Sequence, residues 1–147
     1  MGMGLAREPA GQFDLLAVDA FSSDAVPMHL LTREALGVYG NALSRDGILL
    51  FHISNRYLDL EPVIADLART GGWQAALLSY SPTEEELERN ATVSVWIAMS
   101  RNPEALNRLV RLSGKDSMAW SVLEPRPGFD GWSDDFASIL PLIRWSR

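Results

Sequence analysis

Apolar positions in this chain gather in short unbroken runs rather than in alternation with polar ones. Residues 13–18 read Phe-Asp-Leu-Leu-Ala-Val, and residues 48–53 read Ile-Leu-Leu-Phe-His-Ile. Runs of that kind predict strands buried on both faces, as in a parallel sheet covered by helices. The first run ends on Asp19, and a loop of small and polar residues follows it, including Ser22, Ser23, Asp24 and Pro27. Thr32 is placed to cap a helix running from Arg33 to about Leu43. Leu31, Leu36, Val38, Tyr39 and Leu43 give that helix an apolar face. Arg45-Asp46-Gly47 predicts a turn before the second strand.

Asp59 predicts an N-cap, with Pro62 in the first turn, for a helix reaching about Thr70 that Gly71-Gly72 stops. Residues 73–80 predict a third strand and residues 92–99, β-branched and aromatic, a fourth. Between them, residues 81–90 carry Glu84, Glu85, Glu86 and Glu88 and predict an exposed connection or short helix. Pro103 opens a further helix through Leu106, Leu109, Val110 and Leu112, while residues 1–12 read as an irregular lead-in and 115–131 as largely irregular. Strands alternating with helices define an α/β protein with a largely parallel sheet of about four strands. A parallel crossover needs a dozen or more residues, so the short 81–91 connection predicts an antiparallel last pair. There is no internal repeat, and residues 1–147 read as a single domain.

Composition narrows the partners. The chain has 147 residues, 13 basic and 19 acidic, and a net charge of −6. No basic stripe is present to neutralise phosphates, which argues against nucleic acid. The same balance suits a cationic ligand. With no cysteine there is neither a disulfide framework nor thiolate chemistry. No apolar run approaches the length of a membrane span, so the chain reads as soluble and cytoplasmic.

The stretches FDLLAVDAFSSDAVPMHLLTREAL and GILLFHISNRYLDLEPV resemble the spermidine synthase-like (polyamine aminopropyltransferase) family, and WSDDFASILPLIRW near the end resembles it more loosely. The resemblance implies the C-terminal half of a methyltransferase-like Rossmann domain, beginning just before its fourth strand. On that placement the first three strands are absent, and with them the glycine-rich turn that holds the nucleoside. No G-x-G-x-x-G follows any apolar run here. The resemblance implies transfer of an aminopropyl group from decarboxylated S-adenosylmethionine to a polyamine. Decarboxylated S-adenosylmethionine or S-adenosylmethionine would be the co-substrate of a complete protein. No bound cofactor and no activity are expected of this chain by itself.

Asp19 matches the family's acid at the end of its fourth strand, which helps deprotonate and position the attacking amine. Asp24 is the candidate for a second, polyamine-binding acid, although the spacing between the two is longer than in the family. Tyr80, in Ser79-Tyr80-Ser81-Pro82, loosely resembles a tyrosine that lines the amine site. Carboxylates suit this chemistry because a polyamine is cationic and its attacking nitrogen must lose a proton. His52 reads as a hydrogen-bonded histidine within the sheet, with no neighbouring ligand set for a metal. Asn55 lies on the ligand-facing edge without an assignable role, and Trp132 and Asp134-Asp135 resemble the family ending, with helix capping as their plainer reading. A methyltransferase-like protein with another acceptor and a non-catalytic assembly module remain open alternatives. With the neighbouring strand absent, residues 13–18 form an apolar edge, which predicts a homodimer pairing these strands antiparallel.

Overall fold

The computed structural model describes residues 5, 7, 9–19, 28–54, 58–112, 120–135, 137, 138, 141 and 143. In chain order the strands are β1 (Phe13–Asp19), β2 (Leu43–His52), β3 (Gln74–Tyr80), β4 (Ser94–Ser100) and β5 (Trp120–Val122). The helices are α1 (Arg33–Ala42), α2 (Glu61–Gly71), α3 (Glu84–Glu88) and α4 (Pro103–Leu112), with a 3-10 turn at Met28–Leu30. The five strands form one sheet in the order β1-β2-β4-β3-β5. β1 and β2 are parallel, whereas β4 runs antiparallel to both β2 and β3. The antiparallel pairing of the third and fourth strands is the one the short connection predicts. The protein is α/β, with a mixed sheet flanked by helices.

Strand pairing fixes which side chains share a face. Leu49 pairs with Met99, Phe51 with Ile97, Ala75 with Met99 and Leu77 with Ile97. These residues pack with Leu36 and Tyr39 of α1 and with Val63, Ile64 and Leu67 of α2 in the larger core. Ala76 and Ala98 point the other way, into a second cluster with Leu106, Leu109 and Val110 of α4. Phe51, Leu49, Ile64, Leu67 and Ile97 are fully buried. Each such side chain contributes roughly 1.5–3 kcal/mol relative to exposure.

Thr32 caps α1 as its position predicts, its hydroxyl accepting from the Ala35 amide at 3.2 Å. Gly72 ends α2 at φ 73°, a left-handed conformation that glycine adopts without a Cβ penalty. Thr83 and Glu86 close a reciprocal capping box on the short α3.

Several expectations are corrected. The N-cap of α2 is Leu60, not Asp59. The Asp59 carboxylate instead accepts from the Glu61 amide at 3.3 Å and pairs with Arg126 at 2.8 Å. Arg45-Asp46-Gly47 belong to β2, but the pairing jumps from Phe13↔Leu43 to Leu15↔Ile48, so the predicted turn survives as an irregularity within the strand. Within the largely irregular 115–131 stretch, Trp120–Val122 adds a fifth strand against β3, where about four strands were expected. β1 is not buried on both faces, since Leu15 is 58% exposed, while among the described strands it forms the sheet edge as expected. α4 packs on β2, β3 and β4. No helix among the described residues is long and apolar enough to cross a membrane.

The C-terminal segment is pinned by one buried carboxylate. Asp66 of α2 accepts from the Gly131 amide at 2.7 Å and pairs with Arg69 and, at 3.7 Å, with Arg33. A Cβ at position 131 would collide with that carboxylate. Trp132 is consequently held in the larger core, its indole nitrogen donating to the Ser138 carbonyl at 3.1 Å.

Candidate functional site

The carboxyl ends of β1 and β2 lie side by side, and Asp19 pairs in register with His52. Nδ1 of His52 is 3.0 Å from Oδ1 of Asp19. Both groups reach solvent, the Asp19 side chain being 60% exposed and that of His52 24%. The row continues across the sheet, because His52 is in register with Trp96 of β4. The two rings stack at 4.6 Å between centroids, with 24° between planes. The Trp96 indole nitrogen donates to Ser94 Oγ at 2.8 Å, which fixes the plane against which the imidazole rests. Residues directly opposite across a sheet share a face. Asp19, His52 and Trp96 are therefore one continuous surface strip on the α4 side of the sheet, at its carboxyl edge.

Tyr80 ends β3 in register with Ser94, on the same face. Three strand spacings separate it from Asp19, roughly 14 Å at the usual separation of neighbouring strands. Tyr80 is thus on the same edge as Asp19 but not beside it. Partial desolvation, followed by a hydrogen bond to Glu86 and that residue's charge, raises the phenol pKa. Glu86 moves the other way, held low first by the Thr83 amide and then by the Tyr80 and Thr83 side chains. Asp24 and Asn55 lie outside the described residues. His29 sits in the 3-10 turn, beside an apolar cavity of about 390 Å³. Leu16, Val18, Leu30, Val38 and Tyr39 line that cavity, which lies along β1. Burial pushes the Tyr39 phenol up to about 12, and its hydroxyl donates to the Leu30 carbonyl at 3.0 Å.

His52 is hydrogen-bonded within the sheet, as its position suggests, but its partner is the acid singled out for amine chemistry. The signal was present in the sequence: Asp19 and His52 lie at the ends of two apolar runs that the fold sets in parallel, His52 one residue before Ile53. Only the pairing register could reveal that they meet. Trp96 and Glu86 were not singled out, since each reads as an ordinary strand aromatic or surface acid. Asp134 does not cap a helix alone; it accepts from the hydroxyl of Thr32, which does. Among the described residues no group of three or more potential ligands could hold a metal ion. No described strand ends in a glycine-rich turn of the kind that cradles a nucleoside.

No protein-family model matches the chain, and no curated protein matches it in sequence. Its fold is similar to that of a probable spermidine synthase from Corynebacterium glutamicum ATCC 13032, solved by crystallography. The TM-score is 0.52 at 14% identity, over 90% of this chain and 53% of that one. At that identity the likeness concerns the fold alone. The chain spans about half the length of the protein it matches.

Proposed function

We propose that this chain is the amine-acceptor side of a spermidine synthase-like transferase, which moves an aminopropyl group from decarboxylated S-adenosylmethionine to a polyamine. The observation that carries this reading is an exposed carboxylate, Asp19, at the carboxyl end of β1, hydrogen-bonded to His52. In α/β sheets that end of the strands is where ligands bind. A cationic amine is drawn to such a carboxylate, and the neighbouring imidazole gives its proton somewhere to go. Asp24 and Tyr80 are proposed to hold the remainder of the amine. The fold's likeness to a probable spermidine synthase supports the reading at the level of architecture.

Because the likeness covers about half of that protein, we assign the nucleoside-binding half to polypeptide other than these residues. Positioning both reactants supplies much of the acceleration of a two-substrate reaction. The purified chain alone is therefore expected to give no turnover with decarboxylated S-adenosylmethionine and putrescine. In a protein that joins this chain to nucleoside-binding strands, Asp19→Asn should reduce transfer by about 10²–10⁴-fold while leaving the fold intact. Near-normal transfer by a folded Asp19→Asn variant would return Asp19 to a loop-supporting role.

A second reading, an assembly module, is favoured by β1 itself. Its sequence suits a sheet interior, yet it forms the edge, with Leu15 exposed and Leu16 and Val18 lining an apolar cavity. Unpaired strand edges recruit partners. Antiparallel pairing of β1 with the same strand of a second copy would make one continuous sheet across a two-fold axis.

A further inference from the structure

We propose that the amine's proton is accepted by Nε2 of His52, with Asp19 acting as the residue that orients the neutral imidazole and stabilises the charge it gains with the proton. This inference rests on the amine-acceptor reading above and goes beyond it in naming the accepting atom. A carboxylate has no hydrogen to donate, so the 3.0 Å contact between Asp19 Oδ1 and His52 Nδ1 places the imidazole hydrogen on Nδ1. The Nε2 lone pair is then left as the acceptor, and Nε2 has no hydrogen-bond partner among the described residues. The ring cannot easily turn away from this arrangement. Trp96 stacks on it at 4.6 Å, and the indole is itself tied to Ser94. Base, orienting acid and fixed ring plane are the parts of an activated acid–base pair.

The proton balance is simple. An N–H bond of the substrate ammonium breaks, an N–H bond to Nε2 forms, and the electron pair stays on the amine nitrogen. That nitrogen is then the nucleophile for the sulfonium donor. Nothing is oxidised or reduced. The Nε2 lone pair lies in a ring plane that Trp96 holds in place, which favours the imidazole as the base.

Imidazole-nitrogen NMR on the isotope-labelled chain tests this directly, with His52 resonances assigned by comparison with His52→Gln. In neutral imidazole, His52 is expected as the Nδ1–H tautomer, shifting towards Nε2–H in Asp19→Asn. Putrescine is expected to move the Nε2 resonance saturably, while sodium chloride at matched ionic strength leaves it in place. A wild-type Nε2–H tautomer would overturn the proposal, since that nitrogen would have no free pair. So would saturable putrescine binding, sensed at Trp96 or Tyr80, that leaves Nε2 unmoved; in both cases the amine-acceptor reading survives. No saturable response at Asp19, His52, Trp96 or Tyr80 would remove that reading, and the proposal with it. The tautomer and the titration of the wild-type chain decide these outcomes without the Asp19 variant.

Discussion

Thr32 and Asp134 stand 102 residues apart in the chain, yet the hydroxyl of one donates to the carboxylate of the other at 2.7 Å. The same hydroxyl accepts the Ala35 amide at the start of α1. Beside it, the Arg33 amide donates to the Trp132 carbonyl at 3.0 Å, and Asp134 returns its own amide to Glu34 at 2.9 Å. The first turn of α1 and the C-terminal segment are therefore one hydrogen-bonded unit. It stands directly after the segment that follows Asp19.

Thr32→Ala should destabilise the protein by about 0.5–2 kcal/mol, the usual cost of an N-cap. Asp134→Ala should cost less, because the cap bond to Ala35 survives. Urea unfolding of the two variants measures both. Equal losses would show that the contact to Asp134, rather than the cap, holds this junction.

Asp66 should matter more than its single buried bond suggests. Asp66→Ala leaves the Gly131 amide without its carboxylate, a loss of roughly 1–3 kcal/mol for an unsatisfied buried donor. Arg33 and Arg69 remain about half exposed and find water instead. Gly131→Ala should destabilise through collision with the same carboxylate. Thermal unfolding should place both variants below wild type, and loss of Trp132 burial should appear in its fluorescence.

The Tyr80–Glu86 pair makes two pH predictions of opposite sign. Glu86 has a lowered pKa when folded, so its contribution is present above the ordinary carboxylate range and is lost as pH falls through the folded value. Tyr80 has a raised one, so its contribution is complete below 10.0 and is lost as pH rises through the folded value. Glu86→Gln should return the Tyr80 titration, followed by phenolate absorbance, towards the ordinary position. Tyr39 behaves like Tyr80 but further up, near about 12, and its ionisation should coincide with alkaline unfolding of the α1 side of the core.

Self-association through β1 predicts a dimer at micromolar concentration by light scattering, and a monomer for Leu15→Lys. The lysine places charge on an exposed position of an edge strand, a device that blocks edge pairing. A well-folded wild-type monomer would contradict the dimer.

Local chemistry carried much of this fold in plain sight. Thr32, Pro62, Gly72 and the short 81–91 connection each specified a start, a stop or a strand direction that the structure contains. β5 was harder to see, because three residues of antiparallel pairing leave almost no periodic signal beside Pro125 and Pro127. An apolar run reports what a strand is suited to, so β1 reads as buried on both faces although Leu15 is exposed; its edge position follows from the absent neighbouring strand rather than from the run. In the candidate site, Asp19 could be read from the end of its strand. Its meeting with His52 could not, because register across 33 residues is a property of the folded sheet. The stacking of Trp96 on the imidazole depends on the same register one strand further on.

Calorimetric titration of the purified chain with putrescine decides whether the carboxyl edge around Asp19 receives an amine. Saturable one-to-one binding to wild type is expected, weakening with added salt because the attraction is between charges partly exposed to solvent. Asp19→Asn should weaken it at least tenfold while leaving thermal unfolding unchanged. Equal affinity in the folded Asp19→Asn variant, or no binding to wild type at low ionic strength, would contradict the account.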